Sequence, residues 1–127
     1  MRALCPEVRL VQVIHVLAGG PNDESIAEAL SVAPLVDALL LDSGNPHLAI
    51  KELGGTGRRH DWTTSRRIRD AVWPLPLFLA GGLNADNVAE AIHTVRPYGL
   101  DLCSHVRTTN ALDTTKLARF FQAVNAA

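Results

Sequence analysis

PLFLAGGLNADNVAEAIHTV, residues Pro76–Val95, holds a complete strand, turn and helix in one stretch. The apolar run predicts a strand over Pro76–Ala80 that is covered on both faces, as strands of parallel sheets are. Gly81-Gly82 punctuates it. Beyond the glycines, Val88, Ala91, Ile92 and Val95 recur at helical spacing within Ala85–Val95, and Asn84 stands where an N-cap belongs.

The same order of strand, polar glycine-bearing loop and helix repeats on either side. Upstream, VRLVQVIHV (Val8–Val16) precedes a predicted helix over Glu24–Ala33 with Ile26, Ala29, Leu30 and Ala33 on one face. VDALLLDS (Val36–Ser43) precedes a shorter helix that begins at Ser65 and carries Ile68 and Val72. Downstream, YGLDLCS (Tyr98–Ser104) leads to a helix capped by Asp113, with Leu117, Phe120, Phe121 and Val124 on its buried face. Strands alternating with helices imply a parallel sheet with right-handed crossovers. An open doubly wound sheet usually bears GxGxxG after its first strand, and Ala18-Gly19-Gly20-Pro21 does not supply it. Polar residues instead collect at the strand exits: His15, Asp42 with Ser43, Gly81-Gly82, and Ser104-His105. That is where β/α barrels build their sites. The predicted fold is α/β, made of βα units of a TIM barrel on a parallel sheet.

Composition narrows the function classes. The chain has 127 residues, 47% of them hydrophobic, enough for one domain with a core and too few for two of ordinary size. Its 12 basic and 13 acidic residues are interspersed, so no patch argues for nucleic acid or an anionic membrane surface. A phosphorylated small molecule is the partner this balance suits. Cys5 and Cys103 stand alone, with no CxxC and no clustered histidines, so neither a disulfide framework nor a metal site is expected. No apolar run reaches membrane-spanning length, and the reading is a cytoplasmic protein. Gly54-Gly55-Thr56-Gly57 lacks the GK[ST] of a Walker loop and the spacing of a dinucleotide fingerprint, which argues against nucleotide binding.

Four stretches in register resemble the C-terminal portion of the phosphoribosylanthranilate isomerase family: LLLDS (Leu39–Ser43), GGTG with HDW (Gly54–Gly57, His60–Trp62), LAGGLNADNVAEAI (Leu79–Ile92) and RPYGLDLCS (Arg96–Ser104). The resemblance implies a C-terminal half of the barrel, its fifth to eighth βα units, as a single half-barrel domain over residues 1–127. It also implies an Amadori rearrangement in tryptophan biosynthesis, which needs an acid, a base and no cofactor. Family members run to roughly 200 residues or more, the size of a complete barrel. They open with a KICG-like strand whose cysteine is the base, and nothing here matches it. Cys5, in MRALCPEVRL, stands just ahead of the strand resembling the family's fifth and does not take that role.

By resemblance Asp42 is the general acid. Its placement after three leucines at a strand exit also suits a proton donor, because apolar surroundings favour the neutral carboxyl. The ordinary alternative is a loop cap or an arginine partner. Gly81, Gly82, Ser104 and His105 form the expected phosphate cradle, since barrels commonly hold phosphate after the seventh and eighth strands; a plain tight turn is the alternative. His105 departs from the family's glycine: a side chain crowds an approaching phosphate, whereas an imidazolium attracts it, and the reading leans toward weaker binding. Asp101 resembles a substrate-contacting aspartate and equally suits an internally paired polar group. Trp62 is expected to pack in the core, with His60-Asp61-Trp62 anchoring its loop, while His15, His47 and His93 fit ordinary roles, His15 being slightly favoured for the site because it ends a strand. Arg107 and Asn110–Asp113 also depart from the SGVE stretch and the GxKD-like segment of many members. Indole-glycerol-phosphate synthases and epimerases would share the cradle, but the strand exits here carry no lysine.

A half barrel leaves two strand edges open, Val8–Val16 and Tyr98–Ser104, and such edges invite pairing. The expectation is a homodimer or a complementary half-barrel, with the chain alone inactive; the alternatives are a four-stranded sheet that persists as an open α/β layer and a fragment of a longer gene product. The alternative function is a noncatalytic phosphosugar-binding or self-assembling module.

Overall fold

A computed structural model describes residues 3–16, 22–42 and 62–127 of the chain. Within them, β1 (Val11–His15), α1 (Asn22–Val32), β2 (Ala38–Asp42), α2 (Trp62–Val72), β3 (Leu77–Ala80), α3 (Val88–Val95) and β4 (Gly99–Leu100) alternate as expected. A two-residue hairpin, β5 (Arg107–Thr108) and β6 (Ala111–Leu112), then leads into α4 (Thr114–Asn125). The main sheet has the order β1-β2-β3-β4, and each adjacent pair is parallel.

Strands that follow in sequence therefore also neighbour in space. The helices do the same: α1 packs on α2, α2 on α3 and α3 on α4. This is winding in one sense, as in a barrel wall; a doubly wound sheet would reverse its strand order and carry helices on both faces. Alternation along the strands places Ile14, Leu39, Leu41, Leu77 and Leu79 on one face. All five are buried and share a cluster with Ala29, Ile68, Val72, Val88, Ala91, Val95 and Phe120 from the four helices.

The opposite face carries Val11, Val13 and His15 of β1, Leu40 and Asp42 of β2, Phe78 of β3 and Gly99 of β4. Coverage on both faces, expected from the apolar runs, fails at β1: Val11 is 54% and Val13 37% exposed. Apolar character records what a strand can bury, and no described element lies over this edge. Phe78 lies across Gly99, where an added Cβ would stand 2.6 Å from the ring, so β4 needs glycine at that point.

Several element limits differ from expectation. The β1 ladder begins at Val11 rather than Val8. Asn84 does not cap α3 directly. Its Oδ1 accepts from the N–H groups of Asp86 (2.8 Å) and Asn87 (3.0 Å), closing a turn, so that the helix starts at Val88 rather than Ala85. The strand predicted over Tyr98–Ser104 is two residues long. Asp101 still donates its N–H to Leu79 O (2.9 Å), but Ser104–Val106 then forms a single 3-10 turn that buries Val106. The Asp113 N–H donates to Val106 O (2.8 Å), and Thr109 and Asn110 adopt positive φ (49° and 63°), the turn geometry of a tight hairpin. Leu30 and Phe121, expected in the core, are 48% and 55% exposed; amphipathic spacing cannot tell the centre of an apolar stripe from its rim.

Cations on α2 tie it to the end of α3. Arg66 donates to Thr94 O (3.4 Å) and Arg69 to Arg96 O (3.2 Å), at the carbonyl end where positive charge is favoured. Arg69 also stacks over Trp73, 4.5 Å from the ring centre. No helix among the described residues is long and apolar enough to cross a membrane.

The expected cap of α4 is present. Asp113 Oδ1 accepts from the N–H groups of Thr115 and Lys116, both at 3.0 Å, and Oδ2 accepts from Thr108 Oγ1 at 2.7 Å. The Thr108 hydroxyl, and then the Lys116 N–H, hold this carboxyl below its ordinary value. A carboxylate with a depressed folded value stabilises above its unfolded value, about 3.9, and loses that contribution as pH falls through the folded one. Thermal midpoints measured from pH 6 down to about pH 3 should therefore fall in the wild type, partly through this group. Asp113→Asn should lower the midpoint near neutrality and flatten the acid fall. A gap between the two proteins that is the same at every pH would contradict this.

Candidate functional site

The candidate residues lie along the C-terminal edge of the sheet. By register His15 faces Asp42, and Asp42 faces Ala80, on the side away from the helices. Asp101 continues that row beside Ala80, held by its N–H to Leu79 O. Asp42 is half-buried, whereas His15 and Asp101 are exposed. The structure thus brings the expected acid into line with His15, the histidine that the sequence placed at a strand end.

At the exit of β3, Gly81 and Gly82 turn the chain with φ of 90° and 65°. A Cβ on Gly82 would meet nothing within 4 Å, so glycine is required there by backbone conformation, and the space above it is open. Asn87 holds this turn: its Nδ2 donates to Gly82 O (2.8 Å) and its Oδ1 accepts from Asn84 N–H (2.9 Å). Asn87 escaped the sequence reading, although an asparagine three residues after Asn84 and just before a helix is a usable signal. Gly82 therefore sits exposed on a loop held by Asn87, with clear space where its Cβ would be, and Gly81 beside it is half-buried.

At the exit of β4, Ser104 and His105 are exposed in the 3-10 turn, with Ser104 Oγ 3.4 Å from His105 Nδ1. A hollow of about 440 Å³ opens beside them, lined by Cys103, Ser104, Arg107, Thr109 and Asn110. Ser104 faces it and His105 does not line it. Gly19-Gly20, Ser43, His47, Gly54–Gly57 and His60-Asp61 lie outside the described residues. Trp62 packs into the core at 6% exposure. Its indole Nε1 has no hydrogen-bond partner among the described residues, so packing is what it supplies.

Parallel βα units wound in one sense, with polar groups and a glycine turn gathered at the strand exits, define an α/β protein with a four-stranded parallel sheet among the described residues. The model of the N-(5'-phosphoribosyl)anthranilate (PRA) isomerase family matches residues 11–123, and the chain belongs to that family. It is 43% identical over 116 residues to N-(5'-phosphoribosyl)anthranilate isomerase of Methanocella arvoryzae, a match covering 91% of this chain and 50% of that protein. Among solved structures, phosphoribosyl anthranilate isomerase from Thermococcus kodakaraensis is similar with a TM-score of 0.70 and 31% identity, over 94% of this chain and 54% of the other. The Thermotoga maritima enzyme gives a TM-score of 0.75 at 27% identity, over 99% of this chain and 56% of the other. The chain thus spans about half the length of the relatives it matches.

Proposed function

We propose that residues 1–127 form one half-barrel domain that supplies the acid and the phosphate end of an aldose-ketose isomerase site. The substrate is N-(5-phosphoribosyl)anthranilate. Asp42 donates a proton to the ring oxygen as the sugar opens, and a base on the other half of the barrel removes the C2 proton. The resulting enolamine collapses to the aminoketose, so no electrons leave the substrate and no cofactor or metal is required. Gly81, Gly82, Ser104 and His105 hold the phosphate, and Asp101 contacts the sugar. This is a soluble, cytoplasmic reaction with no role for nucleic acid or membrane. The observation that carries the reading is the shared sheet edge of Asp42 and the Gly81-Gly82 turn, one on β2 and one after the adjacent β3.

The base-bearing KICG-like strand has no counterpart in this sequence, so these residues are inactive alone and act when four further βα units close the barrel. Turnover of N-(5-phosphoribosyl)anthranilate should be undetectable with the chain alone and appear on mixing with an N-terminal four-unit fragment of a relative. Turnover by the chain alone would overturn the proposal.

The exposed Val11 and Val13 on the edge strand β1, and Tyr98, 75% exposed beside β4, favour a second reading in which two copies close on each other as a noncatalytic phosphosugar-binding module. Sedimentation at increasing concentration separates the two: a stable dimer without complementing activity favours the module.

A further inference from the structure

We infer that His15 acts through Asp42, as the positioning residue that returns a proton to its carboxyl after each turnover. The inference rests on the isomerase reading and adds to it a residue that the family resemblance does not assign. The need for such a group lies in the proton balance. When the sugar opens, the bond from C1 to the ring oxygen breaks, the nitrogen lone pair forms the iminium, and the Asp42 proton stays on that oxygen as a product hydroxyl. The base then holds the former C2 proton, and the enolamine becomes the ketone by exchanging its hydroxyl proton for one at C1. Asp42 is left as a carboxylate. Before the next cycle one proton must reach it and one must leave the base, with no net change of protons or electrons.

Backbone geometry pairs the two residues. In the parallel register of β1 on β2, His15 is the partner of Asp42, so both side chains leave the sheet on the side away from the helices. The Val16 N–H donates to Asp42 O at 2.9 Å and Ser25 Oγ donates to His15 O at 3.3 Å, fastening the end of β1 to both β2 and α1. Adjacent strands lie about 4.8 Å apart, a gap that an imidazole is long enough to span. Exposure divides the roles, because Asp42 is half-buried and His15 is exposed. One ring nitrogen serves the carboxyl while the other exchanges with water, and imidazole is the side chain that takes and gives a proton near neutrality. On its other flank Asp42 meets Ala80, which is 6% exposed and has no proton to give. Among the described residues of this row, the remaining titratable group is Asp101, a further strand away and itself a carboxyl.

In the chain alone, nitrogen NMR of the imidazole rings should show the His15 signals moving between wild type and Asp42→Asn, with those of His93 on α3 unchanged. In a barrel completed by an N-terminal fragment, His15→Ala should lower steady-state kcat about tenfold or more, while KM and the rate of the first turnover stay within about twofold. A residue that only shaped the site would slow the first turnover too. Millimolar imidazole should restore part of kcat in His15→Ala and none in Asp42→Asn. Equal kcat in His15→Ala and the parent, a loss shared by the first turnover, or His15 signals indifferent to Asp42→Asn overturns the inference and leaves the isomerase reading standing. If Asp42→Asn keeps full kcat, or no mixture turns over, the acid assignment itself falls and His15 with it.

Discussion

Leu79→Ala should destabilise the chain by about 3–5 kcal/mol, the upper range for a leucine cut back in a core that cannot collapse. Leu79 is fully buried on β3, between Leu41 of β2 and Leu100 of β4 in register, and it faces the helix layer. Ladder hydrogen bonds hold both flanking strands, so little can move in to fill the cavity. Such a loss is a large share of a typical stability of about 5–15 kcal/mol. Denaturant midpoints for Leu79→Ala, with Val13→Ala as a comparison, check it. Val13 points to the other face and is 37% exposed, so its truncation should cost under about 1 kcal/mol. If the alanine variant fails to fold, Leu79→Met should still fold and lose less than about 1.5 kcal/mol. Equal costs at Leu79 and Val13 would mean that the helix-facing side is not the main core.

Asp42→Asn carries the largest expected effect on activity. In a barrel completed by an N-terminal fragment, kcat should fall by about 10²–10⁴-fold, the usual contribution of a positioned proton donor or acceptor. KM should stay within a few-fold. Asparagine keeps the shape and half-buried position of Asp42 beside Ala80 and His15, but cannot hand a carboxyl proton to a ring oxygen. The circular dichroism spectrum and thermal midpoint should be unchanged in this variant, which separates lost chemistry from lost fold. A kcat within tenfold of the parent would remove Asp42 from the acid role.

Hydrophobic period was enough to read the alternation of strands and helices, their order, the α4 cap at Asp113 and the gathering of His15, Asp42, Gly81-Gly82 and Ser104 at strand exits. These follow from the sequence because they are local. Backbone geometry converts a period of two or 3.6 into a face, and a strand's last residue marks its exit whatever lies beside it. Tertiary structure decided where β4 stops, because the burial of Val106 and the Asp113-to-Val106 hydrogen bond draw the chain into a hairpin. It also set His15 beside Asp42, tied Asn87 to Gly82, left His105 out of the lining of the hollow beside Ser104, and left Val11, Val13 and Phe121 uncovered. Each of these depends on what one segment meets from another. An apolar or charged side chain states what it can bury or bind, and only the neighbours brought to it by folding settle whether it does.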